Sequence, residues 1–390
     1  MLLSAGSYEG HLVGFRLTHG ATLAATPAFA LRAHDGCVRA VAGGGALLAT
    51  CGSDHTISVY NVRKLREHGK LLQEGGGAAL HCLAFFSDTH LVSGGGDGEM
   101  CIWRASDWEC LLRMKGHKGA IHAIAIHPSG RAALSVAADS KLMLWNLTTG
   151  KCNYTSALAE PSRMVAWVLD GEAYLYDTRR ALVLYALRSG ALLHSFAHDD
   201  APAMCIATAG SDFLLSGDEA GSIRVWSLTS GKCLATAKAH ERRVKALAVL
   251  QPQCQRTAAM ERSETITFVT ASSDGTLTVW RHDDGQIRPL SSTETRLRIT
   301  SLSVFDPSAS QKGGGLSGRA QDGAFAPSTS DEGPREAGSQ KRARSASAGD
   351  TDAGCGSEAE RSKSKGEAPI AESLPLGSKA SRKQGKKKRQ

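Results

Sequence analysis

Aromatic residues make up only 5% of this 390-residue chain, and its ten cysteines never form a CxxC pair. The missing pairs remove the spacing that zinc and thioredoxin-like sites need. With no export signal, the thiols are expected to be reduced, small core residues. No apolar run approaches the roughly 18 residues of a membrane span. The opening "MLLSAGSYEGHLVGFRLTHG" has neither the basic start nor the apolar stretch of a signal peptide, so neither secretion nor a membrane is expected. Long helical periodicity is absent. The glycine run "GGGDG" at 94–98 is followed by no Lys-Ser/Thr pair and no helix, which sets aside a phosphate-cradling loop and leaves a tight turn between strands.

Charge is unevenly spread. The net charge is +8, and residues 306–390 hold sixteen Lys/Arg against eleven Asp/Glu, so that +5 lies in the tail and +3 in the rest. The same division appears in patterning. Up to residue 305 the chain alternates short β-rich runs, such as "AIHAIAI", "RAALSVA" and "KLMLWNL", with turn signals such as "HPSG" and "SSDG".

One spacing recurs. Ser135, Asp139 and Trp145 have the same separation as Thr50, Asp54 and Tyr60, as Ser93, Asp97 and Trp103, and as Thr270, Asp274 and Trp280. A further copy keeps Ser216 and Trp226 but has Ala220 in place of the acid. With Phe15 and Tyr185 as weaker anchors, the seven terminal aromatics stand 45, 43, 42, 40, 41 and 54 residues apart. The wide last interval is explained by "QPQCQRTAAMERSE" (251–264), a polar insertion expected to be an exposed loop. A period of about 40–45 residues, with His upstream and Trp ending an alternating strand, resembles the WD40 repeat.

That resemblance implies an all-β, seven-bladed WD40 β-propeller over 1–305. The segment at Phe15 is too short for a blade of its own and "RITSLSVF" (298–305) is a lone strand, so the two termini are expected to share one blade. Such closure removes exposed sheet edges. It also implies that His117, Ser135, Asp139 and Trp145 form a hydrogen-bonded chain inside one blade, as do His240, Thr270, Asp274 and Trp280. His34, Thr50 and Asp54 match the pattern with Tyr60 in place of Trp. A buried carboxylate and imidazole are tolerable when each polar atom is partnered. The competing reading, a Ser-His-Asp triad, fits poorly with three copies at a fixed period. His122 and His127 have no acid or cysteine at ligand spacing. No catalytic, cofactor or metal site is assigned.

Residues 87–136, together with "SAGSYEGHLVGF", "REHGKLL", "AHERRVKAL" and "TASSDGTLTVW", are similar to the PAK-interacting protein family. The similarity is weakest over 153–197. The resemblance implies binding to the regulatory region of a Rac-activated, PAK-type kinase, with inhibition. It also implies a nuclear and nucleolar location, work in large (60S) ribosomal subunit biogenesis alongside pre-60S assembly factors, and a monomeric propeller. A substrate receptor for a cullin-type ubiquitin ligase is the alternative. Those proteins usually show Trp-Asp-x-Arg, and the nearest match here is "YNVR" at 60–63.

The tail, 306–390, is Gly/Ser/Pro-rich and too poor in apolar residues to offset ordering entropy, so disorder is expected. Lys341, Arg342 and Arg344 form one basic cluster. Arg382, Lys383, Lys386, Lys387, Lys388 and Arg389 form a second. Both read as nuclear or nucleolar targeting, with sequence-tolerant rRNA contact as a second use. Ser345 and Ser347 follow arginines in the manner of basophilic-kinase phosphosites.

Overall fold

A computed structural model describes residues 1–18, 24–64, 66–73, 78–250 and 265–307. The insertion 251–264, both basic clusters and Ser345 and Ser347 lie outside the described residues. Among the described residues, seven four-stranded antiparallel sheets form a seven-bladed β-propeller. Blade 1 draws on both termini, in the order Ile299–Phe305, Leu2–Ser7, His11–Thr18, Ala24–Arg32. Blade 2 runs from Val38–Gly44 to Arg66–Leu72, blade 3 from Leu80–Phe86 to Cys110–Lys115, and blade 4 from Ile121–Ile126 to Lys151–Ala157. Blade 5 starts with the short strand Val165–Val168 and carries a single 3-10 turn, Leu169–Gly171, before its remaining strands. Blade 6 spans Ala203–Ala209 to Cys233–Lys238, and blade 7 spans Val244–Leu250 to Gln286–Glu294. The innermost strands touch in sequence round the ring, and Ile299–Phe305 completes it by lying between Val38–Gly44 and Val244–Leu250. Closure by a terminal strand is what the lone "RITSLSVF" pattern predicts.

The core is not a single mass. It falls into seven apolar clusters, each in the seam between two neighbouring blades. Both faces of the middle strands are therefore covered, so that His90–Gly95 and Glu99–Arg104 are buried almost throughout, whereas the outer strand Lys151–Ala157 is exposed at nearly every position. This double burial explains why strict apolar-polar alternation is faint in the sequence of the middle strands.

All seven aromatic anchors occupy one structural position. Phe15, Tyr60, Trp103, Trp145, Tyr185, Trp226 and Trp280 each stand directly after a β-bulge between the third and fourth strands of their blade. The bulge re-aims one side chain and increases local twist. Its extra residue lies on the outer strand, and the Trp145 ring sits in the seam with the preceding blade, packed with Met100, Ile102 and Met114 of blade 3. At 1% exposure, truncating Trp145 to alanine would cost about 3–5 kcal/mol.

The turn between second and third strands also repeats. It takes a left-handed residue in six blades: Gly10, His55, Gly98, Ser140, Gly221 and Gly275. At Gly98 a β-carbon would stand 2.4 Å from the His117 carbonyl oxygen, so glycine is required there for space as well as for φ.

Candidate functional site

The loop histidines join the strands of each blade. His117 sits on the loop into blade 4, Ser135 on the second strand, Asp139 in the following turn and Trp145 on the third strand. The Trp145 indole N–H donates to Ser135 Oγ at 2.8 Å, Ser135 lies 2.7 Å from His117 Nε2, and His117 Nδ1 lies 3.0 Å from Asp139. One assignment satisfies every atom: Ser O–H donates to Nε2 and Nδ1–H donates to the carboxylate. Burial lowers the pKa of His117 despite the Asp139 charge, so the pair is a neutral imidazole on a carboxylate rather than an ion pair. Burial alone would raise Asp139, but the Lys118 N–H and His117 bring its carboxyl below the usual range.

Blade 2 has three of these members. His34 meets Asp54 at 2.9 Å and Thr50 at 2.8 Å. Tyr60 is buried but carries no ring N–H to give to Thr50, which lies 3.5 Å from the Ser58 carbonyl just as Thr270 lies from that of Thr278. Blade 7 inserts a fifth member. His240 meets Thr270 at 2.7 Å, and Trp280 donates to Thr270 at 2.8 Å. Asp274, however, stands 3.7 Å from the ring, and Thr276 bridges the gap, 2.8 Å from His240 and 2.5 Å from Asp274. Thr56 holds the same place in blade 2, 3.2 Å from His34 and 3.0 Å from Asp54, but there the direct histidine–aspartate contact is kept.

Asp139, His117 and Ser135 have the connectivity of a hydrolytic triad. The Ser135 side chain is completely buried and its oxygen accepts the Trp145 N–H, so no substrate carbonyl can reach it. These side chains work as struts within the blade.

Blades 5 and 6 build other struts, which the spacing argument passes over. In blade 6, Trp226 donates to Ser216 at 2.9 Å. His198 occupies the loop position, and where an aspartate is missing at Ala220 the guanidinium of Arg224 donates to His198 Nδ1 at 2.7 Å. Burial first, and the Arg224 charge second, push His198 down to about 4. In blade 5, Asp177 accepts Ser162 Oγ–H at 2.6 Å and the Arg163 and Met164 N–H groups at 2.7 Å each. The motif "AHDD" at 197–200, like "AHDG" before blade 2, is the signal that identifies His198.

The surface feature of interest is the mouth of the channel where the innermost strands begin. A β-bulge interrupts the first strand of six blades, at Arg39, His81, His122, Met204, Lys245 and Thr300. In three of them the bulged residue stands five positions after the loop histidine, at Arg39, His122 and Lys245. That offset was open to view in the sequence, although nothing in the sequence marks it as a bulge. His122 Nδ1 is fixed 2.9 Å from the Ser162 carbonyl of blade 5. His81 has its pKa lowered by burial, then by Arg39 and His122. Beside Lys245 a recess of about 590 Å³ opens between blades 5, 6 and 7, lined by Arg163, Arg243, Met204, Asp177 and Glu219 among others.

Arg104 closes a tight turn on itself, pairing with Asp107 at 3.3 Å and Glu109 at 2.5 Å. Trp108 takes a left-handed φ within that turn. Lys118 is exposed, with its N–H on Asp139. Among the described residues, no group of three or more His, Cys, Asp or Glu could hold a metal, and eight cysteines are free thiols. Among the described residues, no helix is long and apolar enough to cross a membrane.

Comparison with known proteins bears on the fold and the family. The WD domain, G-beta repeat family (WD40) matches residues 25–61, 65–104, 108–146 and 231–281. Each matched segment joins the outer strand of one blade to the first three strands of the next, so a sequence repeat interlocks two blades. Blades 5 and 6, where the struts diverge, contribute only that last outer strand to the matches. A Gallus gallus protein named p21-activated protein kinase-interacting protein 1-like is 35% identical over 80% of this chain and 82% of its own length. The Homo sapiens p21-activated protein kinase-interacting protein 1 is 29% identical over 78% of this chain and 77% of its own. Shk1 kinase-binding protein 15 of Schizosaccharomyces pombe is 27% identical over 66% and 71%. With the seven blades, the interlocked repeats and a relative more than 30% identical across four-fifths of both chains, this chain belongs to the p21-activated protein kinase-interacting family of WD-repeat proteins.

Proposed function

We propose that this chain is a non-catalytic scaffold that binds the regulatory region of a PAK-type kinase and restrains its activation. The observation that carries the reading is that relatives in both vertebrates and a fission yeast are named for binding such a kinase. Spending the Ser, His and Asp side chains as buried struts also supports a role at surfaces, since function on such a fold lies in grafted sites. We extend the proposal to nucleolar assembly of the large ribosomal subunit. The family resemblance over 1–305 and the basic clusters at 341–344 and 382–389 support that half.

Affinity purification of the tagged full chain with mass spectrometry tests both halves together. Recovery of the kinase and of pre-60S assembly factors is expected. A purified chain that neither captures the kinase regulatory segment nor slows kinase activation would refute the first half. Unchanged large-subunit rRNA processing after depletion would refute the second. Deleting 382–389 is expected to abolish nucleolar enrichment. Any rRNA contact should weaken steeply with salt, as phosphate binding does.

A further inference from the structure

We propose that the recess at the channel mouth between blades 5, 6 and 7 binds an extended, Asp/Glu-rich segment of a protein partner, with Lys245 as its central cation. The assignment does not depend on which protein carries that segment.

Four cations, Arg163, Arg179, Arg243 and Lys245, line the recess against three acids, and the acids are already engaged. Asp177 points its Oδ1 inward to Ser162 and two backbone N–H groups, and its Oδ2 is 3.9 Å from Arg163. Glu219 pairs with Arg243 at 4.0 Å, and Glu160 with Arg179 at 3.9 Å. Lys245 has no hydrogen bond or ion pair among the described residues, although it is half-buried on an innermost strand. Its pKa is lowered by burial, then by Arg243 and Arg163. A desolvated ammonium beside two guanidinium groups is costly without an anion, and an incoming carboxylate would offset their repulsion. Arg39, exposed and without an ion pair among the described residues, extends the positive field across the mouth from blade 2. It and Lys245 both act on the Cys37 thiol, although burial still raises that group.

The lining also discriminates between kinds of anion. No aromatic side chain lines the recess, so bases would find no stacking platform of the sort that holds single-stranded nucleic acid. Pro161, Pro202 and Met204 supply apolar surface suited to aliphatic side chains between acidic ones. The volume lies in the range of small-ligand pockets, about 300–1,000 Å³, enough for a few side chains of an extended peptide and too small for a folded domain.

Photo-crosslinking tests the site directly in the full chain. The probe is a ten-residue Glu-rich peptide bearing one benzophenone, with crosslinks mapped by mass spectrometry. Crosslinks are expected within 201–219 and 240–247. Lys245→Glu should reduce their yield about tenfold or more, as losing a half-buried charge pair does. Lys245→Met, which keeps the aliphatic stem and carries less risk to folding, should do nearly the same. Lys151→Glu on the exposed outer strand of blade 4 should leave them unchanged. Equal yields from the Lys245 variants and the unaltered chain, or crosslinks confined to other segments, would overturn the assignment. So would a photoreactive single-stranded RNA that labels these segments while the acidic peptide does not.

Discussion

Ser135 shows how much a small buried side chain can carry. Its hydroxyl accepts from Trp145 and donates to His117, so Ser135→Ala strands two buried polar groups at once. Each unsatisfied group costs about 1–3 kcal/mol, and the substitution should lower stability by about 2–4 kcal/mol in denaturant titration. Thr50→Ala should cost roughly half as much, because Tyr60 has no N–H to leave unpaired. Equal losses at the two sites would contradict the strut assignment. His198 sets an acid limit on stability. Its folded pKa of about 4 lies below the 6.5 of the unfolded chain, so below about pH 6.5 the unfolded state takes up a proton that the folded state refuses. The associated stability is fully present above pH 6.5 and is lost as pH falls toward 4, about 2 kcal/mol of it by pH 5. His34, His117 and His240 are lowered in the same direction. Melting temperature should therefore fall from pH 7 to pH 5, and less steeply in His198→Gln.

At the scale of the element, one turn solves the same problem six times with different residues. Ser140 holds φ at 55° where Gly98 and Gly275 hold the corresponding turn position, at the cost of a Cβ in the left-handed region. Ser140→Gly should stabilise by about 0.5–1 kcal/mol, net of the extra freedom glycine gives the unfolded chain. Gly98→Ala should instead destabilise by about 2 kcal/mol or more, because its β-carbon would meet the His117 carbonyl. A pair of thermal melts distinguishes the two. The bulges after the seven anchors follow the same logic. The shift at Gly14/Phe15, Val59/Tyr60 and Ile102/Trp103 falls at the same register in each blade and adds its extra residue to the outer strand.

For the whole molecule, stability depends on closure. Leu2–Ser7 pairs on one side with His11–Thr18 and on the other with Ile299–Phe305, so the first and last strands of the propeller are joined by hydrogen bonds. Arg298 reinforces the joint, 2.7 Å from Glu9 and 4.3 Å over the Tyr8 ring. Removing residues 1–7 would expose two strand edges and open the apolar seams on either side of blade 1. The shortened chain should lose its cooperative melting transition and aggregate, read by circular dichroism and size exclusion.

The repeat made the architecture legible because the positions that define it are local: Ser, Asp and Trp at fixed spacing along one hairpin, and a histidine on the loop before it. Those intervals determined the blade count, the shared blade and three of the strut sets. They could not reveal that Thr276 stands between His240 and Asp274, or that Arg224 faces His198, since those contacts depend on side-chain reach across strands. Nor could they identify the mouth. Arg163, Met204 and Lys245 belong to three blades and are far apart in sequence, and only closing the ring gathers them round one recess. Periodic burial is encoded residue by residue, whereas a site built between blades exists only once the blades are packed.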